Sequence, residues 1–207
     1  MEDILAVYER AADPRRPVVC FDERPCQLLQ GKELPMRAGT GGRRIDSHYK
    51  RNGTCCVLLA VQPRGGKRML EVRPQRRARD YAQFLKRLAT REYPEAERIV
   101  LVQDNLNTHQ MGSLYETYPP EQARALAQRF EVHYTPKKGS WLNMAEIEFS
   151  AMTKQCLDRR IGSMAALRKE LQAWERRRNR GETKIRWRFT TESARRKLGR
   201  HYGAVRN

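Results

Sequence analysis

Long apolar runs are missing from this sequence. The longest, from about Cys55 to Val61, falls far short of the roughly 20 residues that a membrane-spanning helix requires. Residues 1–16 also lack the apolar core of a secretory signal peptide. These absences exclude a membrane-bound or secreted protein from our expectations and predict a cytoplasmic one.

Cysteine is sparse and poorly spaced for a metal cluster. The five cysteines, at positions 20, 26, 55, 56 and 156, form no Cys-x-x-Cys pair and no zinc-binding spacing with the four histidines. All except Cys26 lie inside apolar stretches. The sequence therefore predicts buried, reduced thiols, as in cytosolic proteins.

Acidic residues are few compared with basic ones. The 207 residues hold 24 Asp and Glu against 42 Lys and Arg, which leaves a net charge of +18. A fold does not need this excess, because like charges repel each other. A polyanionic partner explains it, and nucleic acid is the commonest. The alternative is a generally basic protein from a GC-rich genome, in which arginine codons accumulate.

The order of predicted elements points to one α/β domain. Apolar, β-prone runs predict strands at residues 17–21, 54–62, 67–73, 98–103 and 130–134. Helical periodicity and capping residues predict helices at residues 2–10, 78–92, 120–129, 142–157, 163–178 and 191–199. Residues 26–49 are expected to be largely irregular, with a turn at residues 51–53. This order predicts a mixed sheet with helices on both faces.

Two aspartates, Asp22 and Asp104, each follow an apolar run. If their strands are neighbours, both carboxylates project from one edge of the sheet, where they repel each other unless a cation lies between them. Mg²⁺ or Mn²⁺ is the natural choice. With a third carboxylate, such a site activates a water or a 3′-hydroxyl against a phosphodiester. The alternative is that each aspartate merely ends its strand and starts a turn.

Three sequence motifs occur in order around these residues. They are Val-Val-Cys-Phe-Asp22-Glu23, Ile-Val-Leu-Val-Gln-Asp104-Asn-Leu-Asn-Thr-His109 and His133-Tyr-Thr-Pro-Lys-Lys-Gly-Ser-Trp-Leu-Asn143-Met-Ala-Glu146. Together they resemble the DDE transposases of bacterial insertion sequences in the mariner superfamily, over about residues 16–202. The resemblance implies a ribonuclease-H-like fold and magnesium-dependent DNA cleavage and strand transfer. It places the catalytic, metal-binding triad on Asp22, Asp104 and Glu146.

The resemblance also divides the chain and implies its partners. We expect an N-terminal stub or linker at residues 1–16, a catalytic domain at residues 17–160 and a basic helical extension at residues 161–207. Fewer than twenty residues precede the first strand, whereas the family carries helix-turn-helix modules there. The expected partners are transposon-end and target DNA, a second copy of the chain, and a helix-turn-helix protein or upstream frame, with no membrane. The expected location is the bacterial nucleoid. The alternatives are a plain nuclease of the same fold, and a truncated regulatory copy that binds DNA without cleaving it.

Several residues near the triad are expected to contact DNA: Asn105, His109, Lys137, Lys138, Ser140, Trp141 and Asn143. His109 would contact the scissile phosphate, orient a carboxylate or simply bond to backbone. The basic loop before residue 142 precedes a helix start, where N–H groups favour phosphate. Trp141 would stack on a base or pack in the core. Helical periodicity leaves Glu148 open as the third carboxylate, because it and Glu146 flank the buried stripe almost symmetrically.

Overall fold

A computed structural model describes residues 1–31 and 49–202, with side chains up to residue 199. These residues form one five-stranded mixed sheet, with the strands β1 (Val18–Gly31), β2 (Tyr49–Gln62), β3 (Lys67–Arg73), β4 (Ile99–Gln103) and β5 (Phe130–Tyr134). Their spatial order is β3-β2-β1-β4-β5. β2 runs antiparallel to its two neighbours, β1 and β3, whereas β4 runs parallel to β1 and β5 runs parallel to β4.

The helices connect and cover these strands. They are α1 (Glu2–Glu9), α2 (Ala78–Arg87), α3 (Gly112–Thr117), α4 (Pro120–Ala127), α5 (Ala145–Met152), α6 (Met164–Arg180) and α7 (Thr191–Tyr202). Helices α2 and α5 each continue into one π-helical turn, Leu88–Glu92 and Thr153–Leu157. Within the described residues, no helix has both the length and the apolar character needed to span a bilayer.

Strict alternation along the strands divides the core into two layers. On β2, for example, Val57 and Leu59 face the layer that contains α1, α5 and α6, whereas Leu58 and Ala60 face the layer that contains α2, α3 and α4. Successive side chains of a strand point to opposite faces, so a sheet with two apolar faces needs helices on both. The predicted mixed sheet with helices on both faces is confirmed.

The first strand is longer than its sequence predicts. Only Val18 to Cys20 pair with β4, but β1 continues past Asp22 to Gly31 because β2 pairs with it along nearly its whole length. The expectation that this strand ends at Asp22 is therefore wrong. Most side chains after Asp22 are exposed or half-buried, so the polar run there does not terminate the strand.

The irregular segment expected at residues 26–49 is also strand where the structure describes it. Residues 32–48 lie outside the described residues, and the remainder belongs to β1 and β2. The turn expected at residues 51–53 is an irregularity within β2: Gln27 pairs with Thr54 and Leu29 with Arg51, so β2 carries one extra residue there. Gly53 has a φ of +95°, a conformation that glycine adopts at little cost, and the extra residue forms a bulge.

The outer edge of β3 is covered by helix α6. Asn179 accepts a hydrogen bond from the Arg68 backbone N–H (2.8 Å) and donates one to the Arg68 carbonyl (2.9 Å). The Glu175 carboxyl group accepts one from the Leu70 N–H at 3.0 Å. These side chains satisfy backbone groups that an edge strand would otherwise leave open, so α6 is joined to the sheet by hydrogen bonds as well as by apolar packing.

Candidate active site

Two aspartates meet where β1 separates from β4. Asp22 lies two residues beyond Cys20, the last residue of β1 that pairs with β4. Asp104 directly follows Gln103, the last residue of β4. Cys20 and Val102 both face the layer that contains α5, and alternation directs Asp22 and Asp104 to that same face. Asp22 thus faces the layer that contains the helix carrying the third acidic candidate, and Asp104 lies at the end of the neighbouring strand.

Asp22 is the most enclosed of the three carboxylates. It is only 7% exposed, and one of its oxygens accepts a hydrogen bond from the Glu23 backbone N–H at 2.8 Å. Burial raises the pKa of Asp22 to about 7, and the negative charges of Asp104 and Glu146 add to this rise. The three carboxylates are therefore electrostatically coupled, and a cation among them would relieve their repulsion.

Glu146 and Glu148 have opposite surroundings on α5. The Glu146 side chain is exposed and lines a cleft of about 530 Å³ between residues 23–25 of β1 and residues 146–154 of α5 and its π-helical turn. Glu148 is completely buried on the other side of the helix. Of the two, only Glu146 is accessible from the cleft.

Ion pairs hold Glu148 in place. Arg68 approaches its two carboxylate oxygens at 2.7 and 3.0 Å, and Arg178 of α6 approaches one of them at 2.7 Å. Burial alone would raise the pKa of Glu148, but the hydrogen bonds from the two arginines lower it. Its carboxylate is therefore fully engaged within the protein, away from the aspartates.

His109 links Asp104 to a fourth carboxylate. Its Nδ1 contacts an Asp104 oxygen, and its Nε2 lies 3.4 Å from a Glu23 oxygen. Glu23 in turn lies 3.3 Å from a guanidinium nitrogen of Arg76. Although burial lowers the pKa of His109, the hydrogen bonds and charges of Asp104 and Glu23 raise it to about 9. The His109 ring thus lies between two carboxylates, whose negative charges favour its protonated form.

The His109 ring is enclosed on the layer that contains α2. Its centroid lies 5.0 Å from that of Phe21 and 5.1 Å from that of Tyr81. Gln103 accepts a hydrogen bond from the Tyr81 hydroxyl (2.7 Å) and donates one to the His109 carbonyl (2.6 Å). The residue is fully buried, and it contacts Asp104 from within the protein. Glu23, Tyr81 and Gln103 are neighbours of His109 that the sequence alone does not indicate.

Asn143 also lies inside the protein and not on a DNA-facing surface. It is 1% exposed, and its amide donates to the Phe21 carbonyl at 2.8 Å and to an Asp22 oxygen at 3.3 Å. Its side-chain oxygen accepts a hydrogen bond from the Ala145 N–H at 3.2 Å. Asn143 therefore joins the start of α5 to Asp22.

The other expected DNA contacts are accessible. The exposed side chains are Asn105, Lys137, Lys138, Ser140 and Trp141. Trp141 is 48% exposed, and its ring packs edge-on against Phe189 at 5.6 Å. Lys138 has a φ of +66°, which turns the chain sharply just before the helical segment. These residues form an exposed border beside the start of α5.

The acidic residues suit a hard divalent cation by their chemistry. Carboxylate oxygens are the ligands that Mg²⁺ and Mn²⁺ prefer, and the negative charges of Asp104 and Glu146 add to the effect of burial in raising the pKa of Asp22. In the described part of the chain, no three His, Cys, Asp or Glu side chains are already arranged to hold a metal ion. The acidic residues therefore fit Mg²⁺ or Mn²⁺ in donor type and charge, and their side chains must adjust to bind either ion.

Comparisons with known proteins identify the family and the fold of this chain. A family model described as DDE superfamily endonuclease matches residues 17–168. No curated protein matches the sequence. Among solved structures, the Mos1 mariner paired-end complex with Mn is 19% identical, with a TM-score of 0.55, over 87% of this chain and 55% of that chain. The Mos1 strand transfer complex is 18% identical, with a TM-score of 0.56 and the same coverage.

The likeness concerns the fold, and it covers part of the longer chains. The paired-end complex with Mg is 17% identical, with a TM-score of 0.56, over 90% of this chain and 61% of that chain. This chain thus spans little more than half the length of the transposase chains that it matches. The expected ribonuclease-H-like fold is confirmed by this likeness together with the observed strand order.

Proposed function

The chain belongs to the DDE superfamily endonuclease family, and on that basis we propose that it is the catalytic domain of a mariner-type transposase. It would cleave phosphodiesters at transposon ends and join the freed 3′-hydroxyl to target DNA. The observation that carries this proposal is the placement of Asp22 and Asp104 at the ends of two neighbouring strands, with the exposed Glu146 of α5 beside an adjoining cleft. Three such carboxylates serve metal-assisted phosphoryl transfer.

The three coupled carboxylates would hold Mg²⁺ or Mn²⁺. When bound, the metal would supply a Lewis acid for the phosphate oxygens and activate the attacking water or hydroxyl. Asp22 and Asp104 would act from the rigid sheet, and Glu146 would act from the exposed side of α5 next to the cleft. Glu148 is excluded from this role in our proposal, because Arg68 and Arg178 occupy both its oxygens.

Two buried side chains would keep the aspartates in position. Asn143 holds Asp22 and the start of α5 together, and His109 holds Asp104. Locked supporting residues keep a site within the narrow geometric range that catalysis needs. The proposed roles of Asn143 and His109 are therefore to position carboxylates, without direct contact with DNA.

The substrate strand would lie along the cleft beside Glu146. Arg24 and Lys154 line the cleft, and among the described residues neither forms an ion pair. The Arg24 guanidinium donates to the Thr153 hydroxyl at 2.8 Å, which fixes its position without neutralising its charge. Such cations suit a DNA phosphate next to the scissile one. The DNA-binding surface would continue over the other exposed residues beside α5, which include Lys137 and Lys138.

The wider assembly follows from the same proposal. The solved Mos1 complexes contain paired transposon ends, which supports a homodimer of this chain holding two ends. Exposed basic side chains recognise the phosphate backbone and carry little sequence information. Specific recognition of the ends would come from a helix-turn-helix module, in a partner or an upstream frame. The setting we propose is a bacterial insertion sequence, and the location is the nucleoid.

The proposal is tested with an end-labelled transposon-end duplex, Mg²⁺ and a target plasmid. We expect cleaved ends and joined products from the parent chain, and neither from Glu146→Gln. Cleavage without joined products would identify a plain nuclease of the same fold. Binding without cleavage by the parent chain, with Mg²⁺ or Mn²⁺, would contradict catalysis and identify a regulatory copy.

A further inference from the structure

The family match ends at residue 168, yet side chains beyond that point reach the helix that carries Glu146. Helix α6 extends to Arg180, and its Arg178 contacts Glu148 on α5 at 2.7 Å. The same helix bonds to the edge of β3 through Glu175 and Asn179. The segment after residue 168 therefore connects the sheet edge to α5.

The contact is part of a buried group of three charges. The Arg68 and Glu148 side chains are 0% and 1% exposed, and that of Arg178 is 14% exposed. Arg68 also donates to the carbonyls of Gly66 and Thr183. The charges come from three separate elements, β3, α5 and α6, which meet at the Glu148 carboxylate.

Stability alone explains such a group poorly. Removing two or three charges from water is costly, and apolar residues of similar volume often stabilise a fold equally well or better. A carboxylate bonded to two guanidinium groups has one property that apolar packing lacks: its hydrogen bonds are directional, so they fix the orientation of one side chain. At position 148 that hold fixes the rotation of α5.

The rotation of α5 determines where Glu146 points. Glu146 and Glu148 are two residues apart, so at about 100° per residue they lie on nearly opposite sides of the helix. Holding Glu148 against β3 and α6 turns Glu146 toward the cleft. A loosened α5 would move the Glu146 carboxylate by rotation while the fold remained intact.

We propose that Arg178 is a positioning residue that, through Glu148, fixes the orientation of Glu146. This inference rests on the proposed function for its catalytic consequence. It makes α6 part of the catalytic unit, although much of this helix lies beyond the family match. Arg178 would act on the rate of cleavage and leave the affinity for DNA unchanged.

The test uses three variants at position 178 or beside it. Arg178→Met removes the charge but leaves Glu148 paired with Arg68, so the fold survives. Arg178→Lys keeps a donor able to make the single 2.7 Å contact. Arg177→Met is the matched control, because Arg177 directly precedes Arg178 on α6 and is exposed. Single-turnover cleavage and the Kd for a transposon-end duplex are measured below the unfolding temperature.

We expect Arg178→Met to cleave about tenfold to a hundredfold more slowly, as a small misplacement of a catalytic group does, with an unchanged Kd. Arg178→Lys should recover most of the rate, and Arg177→Met should match the parent. Parental cleavage by Arg178→Met would overturn the inference. It would also be overturned if Arg178→Lys cleaved as slowly as Arg178→Met, or if the slower cleavage of Arg178→Met were accompanied by a larger Kd.

A second measurement does not depend on activity. Amide hydrogen exchange reports local opening, and Arg178→Met should accelerate exchange within α5 while leaving α2 unchanged. Unaltered exchange in α5 would overturn the inference. Failure of the proposed function is distinguishable, because the parent chain would then cleave no DNA with Mg²⁺ or Mn²⁺ while the exchange difference persisted.

Discussion

Glu146 and Glu148 lie two positions apart on α5, and the fold places one at an exposed cleft and the other in a buried ion pair with Arg68. Their chemistry is identical, and only their surroundings differ. A carboxylate that must bind a metal and face a phosphodiester needs free oxygens. Substitutions at the two positions should therefore have different consequences.

Glu146→Gln should abolish DNA cleavage and leave the midpoint of thermal unfolding and the affinity for DNA nearly unchanged. Glu148→Gln leaves two buried arginines without their anion and should lower the free energy of unfolding by about 3 kcal/mol. It should retain measurable, slower cleavage at temperatures where it is folded. Thermal unfolding and a cleavage assay on both variants make the comparison. An inactive Glu148→Gln beside an active Glu146→Gln would move the third metal ligand to position 148.

Asp104→Asn should remove most of the Mn²⁺ binding of the chain. The substitution keeps the size of the side chain but removes one of the coupled negative charges, so the attraction for a divalent cation falls. Titration of the protein followed by the paramagnetic resonance of free Mn²⁺ measures this. Asp158→Asn, at an exposed position, is the control and should bind as the parent does. Equal binding by Asp104→Asn and the parent would remove Asp104 from the metal site.

Arg24→Gln combined with Lys154→Gln should weaken DNA binding and flatten its salt dependence. If each cation neutralises one phosphate, the slope of log K against log salt concentration should decrease in magnitude by about 1.8. The control is Arg124→Gln combined with Lys169→Gln, which removes the same charge from exposed positions outside the cleft. Fluorescence anisotropy over a series of salt concentrations gives both slopes. A control slope reduced as much as that of the cleft variant would show that DNA has no preference for the cleft.

Glu175→Gln should stabilise the protein above neutral pH. Burial raises the pKa of Glu175 to about 7, even though the hydrogen bond from the Leu70 N–H opposes the rise. Between the unfolded-state pKa of about 4.3 and this value, the folded chain holds a proton that the unfolded chain has lost. Stability therefore falls as pH rises through that interval.

Glutamine keeps the oxygen that accepts from Leu70 but cannot ionise. The free energy of unfolding of Glu175→Gln should equal that of the parent near pH 4.5 and exceed it near pH 8. Chemical denaturation at both values measures the difference, with the exposed Glu121→Gln as control. A constant difference between the two pH values would show that Glu175 does not titrate in this interval.

Local patterns were enough to predict most of the secondary structure. The β-prone runs at residues 54–62 and 67–73 form two predicted strands, which pair antiparallel. Ser163 caps α6 by accepting the Ala166 N–H at 3.2 Å. Helix α2 buries the predicted stripe, including Tyr81 and Phe84. These features depend on residues close together in the sequence, so the local sequence pattern is enough to predict them.

The surroundings of the candidate site depended on distant neighbours. Helical periodicity could not separate Glu146 from Glu148, because the decisive partner, Arg68, is 80 residues away. The extension of β1 beyond Asp22 likewise depends on its pairing with β2. His109 and Asn143 were identified as site residues, but their burial under the carboxylates follows from the packing of several elements. Sequence motifs located the residues, and only the fold separated supporting side chains from accessible ones.

The hydrogen bonds from α6 to the edge of β3 have a practical consequence for making the protein. Without Glu175 and Asn179, the N–H and carbonyl groups of Arg68 and the N–H of Leu70 would lie open along an apolar strand. Such an edge pairs readily with the same edge of another molecule and leads to aggregation. A shortened version that ends with the family match at residue 168 should therefore precipitate readily on expression. A version that retains α6 should remain soluble.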